Sequence, residues 1–174
     1  LKIAIFSLSC IISSKCFIQS PINRNSRLLT LSNAMDQESF PYETVLPFLQ
    51  EHIQPSDQLL VFGAENTLAL SMSADNYGAR DTRSFIMVID FDQKLIEELQ
   101  SKASENPQTQ KHAKTNNLRF KHFTLAQLDE LEQSSFDAVL DNGMLDRMLS
   151  ERGQDAAGQV IDAAHRAVRL GNPM

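Results

Sequence analysis

Short continuous apolar runs alternate with segments of helical spacing from about residue 41 onward. Three of these runs consist almost entirely of apolar residues, as expected for strands of a parallel sheet that is covered on both faces. Each run is followed by a glycine or a carboxylate. Residues that could bind a ligand would therefore lie directly after strands. The three runs are Leu59–Phe62, Phe85–Ile89 and Phe136–Leu140.

Residues between the runs have the apolar spacing of amphipathic helices. Asn66 or Thr67 is predicted to cap the helix after the first run, and Asp92 the helix after the second. Residues 104–117 are polar and contain a proline, which predicts a loop. The remaining predicted elements are helices at 41–53 and 155–170, a strand at 118–123, and a short helical turn or loop at 125–131.

The alternation of strands and helices predicts an α/β fold, a Rossmann-like parallel sheet with helices on both faces. Ligands of such sheets bind at the carboxyl ends of the strands, near the point where the strand order reverses. Gly63, Asp90, Thr124 and Asp141 all fall at predicted strand ends. A glycine there lets the backbone approach a ligand, and a carboxylate there can accept the hydroxyls of a ribose.

Composition and charge exclude several classes of function. The formal net charge is −6, and the acidic domain has no basic stripe, so we expect no nucleic-acid partner. Cys10 and Cys16 both precede the domain, and the four histidines lack paired ligand spacing, so we expect no metal site. No pattern of a serine or cysteine nucleophile with a histidine is present, and the catalytic residues stay unassigned.

The first 35 residues have the composition of a targeting leader. An apolar run of ten residues, Ile3–Ile12, follows Lys2 and is too short to span a bilayer, so no stable membrane span is expected. The following acid-free stretch bears serine and arginine, and the combination resembles the bipartite leaders of complex plastids. We therefore expect entry into the secretory pathway or a plastid. A mitochondrial presequence and a cytoplasmic protein that starts at Met35 are the alternatives.

These observations divide the chain into a disordered leader at 1–35 and a folded domain at 36–174. The domain resembles the first two-thirds of a class I S-adenosylmethionine-dependent methyltransferase. It is most similar to the group of methyltransferase-like protein 13, whose members methylate elongation factor 1A on lysines or at its N-terminus. Their fourth-strand signature is roughly Phe-Asp-x-Val-x-Asp-Lys-Gly-Thr-Leu-Asp. The matching residues here are Phe136, Asp137, Val139, Asp141, Gly143, Leu145 and Asp146.

The resemblance implies S-adenosylmethionine as the cofactor and methyl transfer by direct displacement at the methyl carbon. The implied partner is a protein substrate, methylated on an amine of a lysine or of its N-terminus. Six residues would bind the cofactor. They are Gly63 and Asn66 at the methionine moiety, Asp90 at the ribose, Thr124 and Leu125 beside the adenine, and Asp141 near the sulfonium and amino end.

The sequence also departs from the family pattern. Glu65 replaces the second glycine of the first loop, and its carboxylate is expected to weaken cofactor binding unless it points outward. Thr124 stands where an aspartate often meets the adenine, and Asn142 replaces a lysine. The alternative function is therefore a non-catalytic methyltransferase-like pseudoenzyme or binding module. A dehydrogenase is disfavoured because the pattern Gly-x-Gly-x-x-Gly is absent.

The chain ends before the fifth to seventh strands of the family. We therefore expect a truncated domain, with the C-terminal strands missing and one edge of the sheet unpaired.

Overall fold

The fold is organised around a parallel sheet, seen in a computed structural model that describes residues 6–7, 27–31, 42–81 and 83–168. The strands, in chain order, are β1 (Phe6–Ser7), β2 (Arg27–Leu31), β3 (Gln58–Phe62), β4 (Phe85–Asp90), β5 (Leu118–His122) and β6 (Ala138–Asn142). The helices are α1 (Tyr42–His52), α2 (Leu68–Ala74), α3 (Gln93–Glu105), α4 (Pro107–Lys114), α5 (Met144–Arg152) and α6 (Gln154–Ala167). A 3₁₀ helix covers Leu125–Glu130.

The strand order places a topological switch point between β3 and β6. The order is β1-β2-β6-β3-β4-β5, and every neighbouring pair is parallel. The chain runs outward from β3 to β5 and then returns to place β6 on the other side of β3. Phe62 is in register with Ile89 of β4 and with Asp141 of β6, so these three strands end together. The predicted Rossmann-like α/β fold is confirmed.

Side chains of β3 alternate between two buried faces of the sheet. Leu59 and Val61 belong to one core cluster, together with residues of α1, α2 and α3. Leu60 and Phe62 belong to a second cluster, together with residues of α5, α6 and the 3₁₀ helix. Because both faces are covered by helices, the strand has no polar face, which explains its continuous apolar run.

The last strand lies two residues later than predicted. Sequence analysis expects it at Phe136–Leu140, followed by an acidic loop, but β6 extends to Asn142 and Asp141 lies within it. Phe136 instead forms an isolated parallel bridge with Val168, after α6. The shift places polar side chains at the carboxyl end of a strand that is buried along its whole length.

The prediction of a loop at 104–117 is wrong, because α4 lies there. Asn106 caps this helix by accepting a hydrogen bond from the backbone N–H of Gln108 at 2.9 Å, and a proline follows at the first helical position. The buried residues of α4 are Thr109 and His112, which are polar, and His112 lies 2.9 Å from the Ser73 hydroxyl. A helix that buries polar side chains has no apolar periodicity to detect.

Helix α5 was not predicted, because only Met144 and Met148 are buried in a stretch with four charged residues. The predicted cap of α3 is confirmed, since Asp92 accepts a hydrogen bond from the backbone N–H of Lys94 at 2.8 Å. Helix α2 ends at Ala74.

Two strands fall within the segment that sequence analysis assigns to a leader. β2 pairs with β6 along its whole length, from Arg27 opposite Ala138 to Leu31 opposite Asn142. The sheet edge that was expected to be unpaired is therefore paired. The rest of residues 1–35 lies outside the described residues, and the leader stays a prediction. In the described ranges no helix is long and apolar enough to cross a membrane.

We predict that Leu60→Ala lowers the free energy of unfolding by about 2–5 kcal/mol, because it opens a cavity in the centre of the sheet. The matched control is Leu149→Ala, since Leu149 on α5 is 50% exposed and should contribute no more than about 0.5 kcal/mol. Urea unfolding followed by circular dichroism measures both. Equal losses would contradict the described core.

Candidate functional site

The turn after β3 requires a glycine. Gly63 has a φ of +102°, and a Cβ atom there would lie 2.6 Å from the backbone oxygen of Asn142. Its N–H donates a hydrogen bond to the Ile89 carbonyl at 2.9 Å, so the turn is tied to β4 as well as pressed against β6. The close approach at Gly63 is to the chain's own backbone, and it brings three strand ends together. The predicted approach to a ligand stays a prediction.

A pair of hydrogen-bonded amide side chains lies at the switch point and joins the turn after β3 to the end of β6. The Nδ2 of Asn66 donates to the Oδ1 of Asn142 at 2.6 Å, and the Nδ2 of Asn142 donates to the Oδ1 of Asn66 at 2.8 Å. The Oδ1 of Asn66 also accepts a hydrogen bond from the backbone N–H of Leu68 at 2.9 Å, at the start of α2. Asn66 therefore lies beside the Gly63 turn, as predicted.

The carboxylate of Asp90 is fully buried at the end of β4. Its Oδ2 accepts a hydrogen bond from the backbone N–H of Ala64 at 2.7 Å, which fixes the turn after β3. Its Oδ1 accepts one from the backbone N–H of Asp92 at 2.8 Å, where the chain enters α3. Asp90 is therefore the residue that joins the ends of β3 and β4.

Arg147 extends from α5 to the same carboxylate. Its Nη2 donates a hydrogen bond to the Oδ1 of Asp90, and its Nη1 donates to the Oε1 of Glu65 at 2.8 Å. The Arg147 side chain is 15% exposed and that of Glu65 is 44% exposed. Glu65 therefore points outward with its charge paired. We call Arg147, Glu65 and Asp90 the ion-pair triad.

Asp141 lies at the end of β6 without a cationic partner among the described residues. Its Oδ1 accepts a hydrogen bond from the backbone N–H of Leu145 at 3.0 Å, which anchors the first turn of α5, while its Oδ2 is buried and lacks a partner in the described ranges. Burial raises the pKa of Asp141 to about 8, and the nearby charge of Asp146 raises this pKa further, against the Leu145 N–H. Asp141 is therefore mainly a neutral acid at pH 7.

A cavity of about 380 Å³ opens beside the ion-pair triad, at the carboxyl ends of β4 and β5. Phe91 and Met148 contribute apolar surface, and the remaining lining is polar or charged. The lining residues are Phe91, Asp92, Gln93, His122, Arg147, Met148, Glu151 and Arg152. Six of these eight residues are polar or charged, so this is a polar cavity with two apolar contacts.

None of the six residues predicted to bind the cofactor lines this cavity. Thr124 is exposed, and its backbone N–H and its hydroxyl donate to the Oε1 of Gln127 at 2.9 and 3.0 Å, at the start of the 3₁₀ helix. Leu125 is partly buried and packs against the second core cluster. Phe91 and His122 occupy the cavity wall instead, so sequence analysis missed them.

The structure brings Gly63, Asn66 and Asp90 together at the carboxyl ends of β3 and β4. Asp141 is buried near the carboxyl end of β6. Sequence analysis missed Arg147 because it treated its segment as a loop. The spacing of Met144 and Met148, four residues apart, was the available signal for a helix.

No protein-family model and no curated protein matches the chain. Among solved structures, the chain is similar to PKMT2 from Rickettsia typhi in complex with AdoHcy, at 17% sequence identity and a TM-score of 0.45. The similarity covers 75% of this chain and 23% of that protein, so this chain spans less than a quarter of its length. At this identity and overlap, the similarity does not identify the ligand or the reaction of this chain.

We predict that Gly63→Ala lowers the free energy of unfolding by about 2 kcal/mol or more, since the new Cβ meets a backbone oxygen in a left-handed conformation. Gly158→Ala is the matched control. It lies inside α6 with nothing within 4 Å of the added carbon, and should raise this free energy by about 0.5–1 kcal/mol. Chemical denaturation measures both. A neutral Gly63→Ala would refute the tight turn.

We predict a pH-dependent gain in stability for Asp141→Asn. Between about pH 4 and about pH 8, Asp141 is protonated in the folded chain and deprotonated in the unfolded chain, so unfolding releases a proton and the wild type loses stability as pH rises. The neutral amide avoids this loss, and its advantage should grow across the window to a few kcal/mol, on the order expected for such a shift.

Urea unfolding at about pH 5 and about pH 9 measures this difference. The control is Asp162→Asn on the exposed side of α6, whose difference from the wild type should stay constant. Parallel pH profiles for Asp141→Asn and the wild type would show that Asp141 is not a neutral buried acid.

Proposed function

We propose that this chain binds S-adenosylmethionine and transfers its methyl group to an amine of a protein substrate. The observation that carries this proposal is the position of Asp90. Its carboxylate is buried at the end of β4, beside the glycine turn of β3 and next to a cavity of about 380 Å³. A carboxylate in this position of a parallel sheet can accept ribose hydroxyls, and the adjoining cavity has room for a small ligand.

The residues present fit the nucleoside and methionine parts of this cofactor, on one condition. Gly63 and Asn66, which lie at the turn after β3 and outside the lining of the cavity, would hold the methionine moiety. Asp90 would hold the ribose. The condition is that Arg147 releases the Oδ1 of Asp90, which it occupies.

The cofactor supplies a methyl group on a sulfonium centre, which a nucleophile displaces directly. The chain's own residues then need to bind, orient and exclude water, because no covalent nucleophile is required. Asp141 contributes little negative charge at pH 7, since its pKa is raised to about 8. It would lie near the sulfonium end as a hydrogen-bonding acid.

A protein amine is proposed as the acceptor because the signature at 136–146 resembles that of protein amine methyltransferases. The cavity wall does not add to this choice, since the guanidinium groups of Arg147 and Arg152 balance the carboxylates of Asp92 and Glu151.

A second candidate is a binding module without methyl transfer. The observation that favours it is the ion-pair triad, in which Arg147 already satisfies the carboxylate that the ribose would need. A chain that kept this arrangement permanently would retain the fold and lose the cofactor.

We predict that S-adenosylhomocysteine binds the chain with micromolar affinity, and that Asp90→Asn abolishes this binding. The substitution removes the negative charge and converts an acceptor of ribose hydroxyls into a donor. Isothermal titration calorimetry measures the affinity, and circular dichroism establishes that the variant is folded. Asp129→Asn is the control, because Asp129 is an exposed carboxylate paired with Arg166.

Binding that survives in folded Asp90→Asn would refute the assignment of the ribose to Asp90. A folded wild type that binds neither S-adenosylmethionine nor S-adenosylhomocysteine would favour the non-catalytic module.

A further inference from the structure

We propose that Arg147 is a positioning residue that a ribose must displace from Asp90, and that Glu65 retains the displaced guanidinium. This inference rests on the proposed function and deepens it. It assigns a role to Glu65, which departs from the family pattern, and to Arg147, which sequence analysis missed.

The first step of the argument concerns the acceptor sites of Asp90. A carboxylate offers about four acceptor positions on its two oxygens. Two are used by the backbone N–H groups of Ala64 and Asp92, which belong to the glycine turn and to the start of α3 and cannot leave without unfolding them. Arg147 uses a third. Two ribose hydroxyls therefore require the position of Arg147, which is the donor attached through a flexible side chain.

The second step concerns the route to Asp90. Asp90 is fully buried, whereas Arg147 is 15% exposed and lines the cavity. A ligand that enters the cavity therefore meets the guanidinium before it meets the carboxylate.

The third step concerns the fate of the displaced charge. An arginine that lost all its partners in a partly buried site would carry a substantial desolvation cost. Arg147 already donates to the Oε1 of Glu65 at 2.8 Å through its other terminal nitrogen. It can therefore give up one carboxylate and keep the second. Glu65 is half exposed, so it can follow the guanidinium without disturbing the core.

The alternative explanation is that the ion-pair triad only braces the glycine turn against α5. The two explanations differ in sign. If Arg147 competes with the ribose, its removal tightens nucleoside binding, and removal of the Glu65 charge weakens it. If the triad is only a brace, both removals loosen the same turn and weaken binding together.

The test is a calorimetric titration of three ligands into the wild type, Arg147→Met and Glu65→Gln. The ligands are S-adenosylhomocysteine, adenosine and 2′,3′-dideoxyadenosine, which lacks the ribose hydroxyls. We expect Arg147→Met to bind the first two at least about tenfold more tightly, in line with the loss of one charge-assisted competitor for Asp90. Glu65→Gln should bind them about threefold more weakly, a smaller effect because Glu65 is half exposed. Affinity for dideoxyadenosine should change less than about twofold in both variants.

Arg152→Met is the matched control for cationic charge. Arg152 lines the same cavity outside the ion-pair triad, so its removal should shift the affinities for adenosine and dideoxyadenosine alike.

The inference is overturned if the wild type binds S-adenosylhomocysteine and Arg147→Met binds it no more tightly. If the wild type does not bind but Arg147→Met does, the inference is supported. If neither chain binds any of the ligands, the proposed function fails together with it. Should Arg147→Met fail to fold, Arg147→Gln takes its place, because it keeps a polar side chain and removes the charge. Tighter binding of adenosine than in the wild type supports the inference, and weaker or unchanged binding overturns it.

Discussion

The desolvation of one carboxylate governs the arrangement of the candidate site. Asp90 is buried completely, and a buried charge without donors would cost several kcal/mol. The donors that meet this cost come from three different elements: the turn after β3, the start of α3, and α5. Each element is therefore held in place partly by the need to satisfy the same two oxygen atoms. The geometry at the carboxyl ends of β3 and β4 follows from that requirement.

A second aspartate at the carboxyl end of the sheet, Asp141, avoids the cost of burying a charge in a different way. Asp141 has no cation beside it in the described ranges, and desolvation holds its pKa well above the ordinary value. Asp90 on β4 and Asp141 on β6 lie on either side of β3, and their carboxyl groups have different environments, one paired with a guanidinium and one neutral at pH 7. Pairs of carboxyl groups whose environments differ in this way are able to take different chemical roles.

The sequence was sufficient for the parts of the fold that depend on local pattern. Continuous apolar runs identify β3 and β4, and the residues that follow them, Gly63 and Asp90, lie where the pattern predicts. Sequence analysis failed where burial involves polar groups. Helix α4 buries Thr109 and His112, and no hydrophobic period marks it. The ion pairs of Arg147 could not be predicted for another reason. Its partners Glu65 and Asp90 lie 82 and 57 residues away along the chain, and only the crossover from β5 to β6 brings them near.

The pairing of β2 with β6 has a consequence for the predicted leader. A protease that removed a leader of 35 residues would also remove β1 and β2, and the backbone groups of β6 on that side would lose their partners. An open, flat strand edge is a template for pairing with another chain. Such a cleavage would move the edge of the sheet from β1 to β6, and the unpaired backbone groups of β6 would be available to another strand.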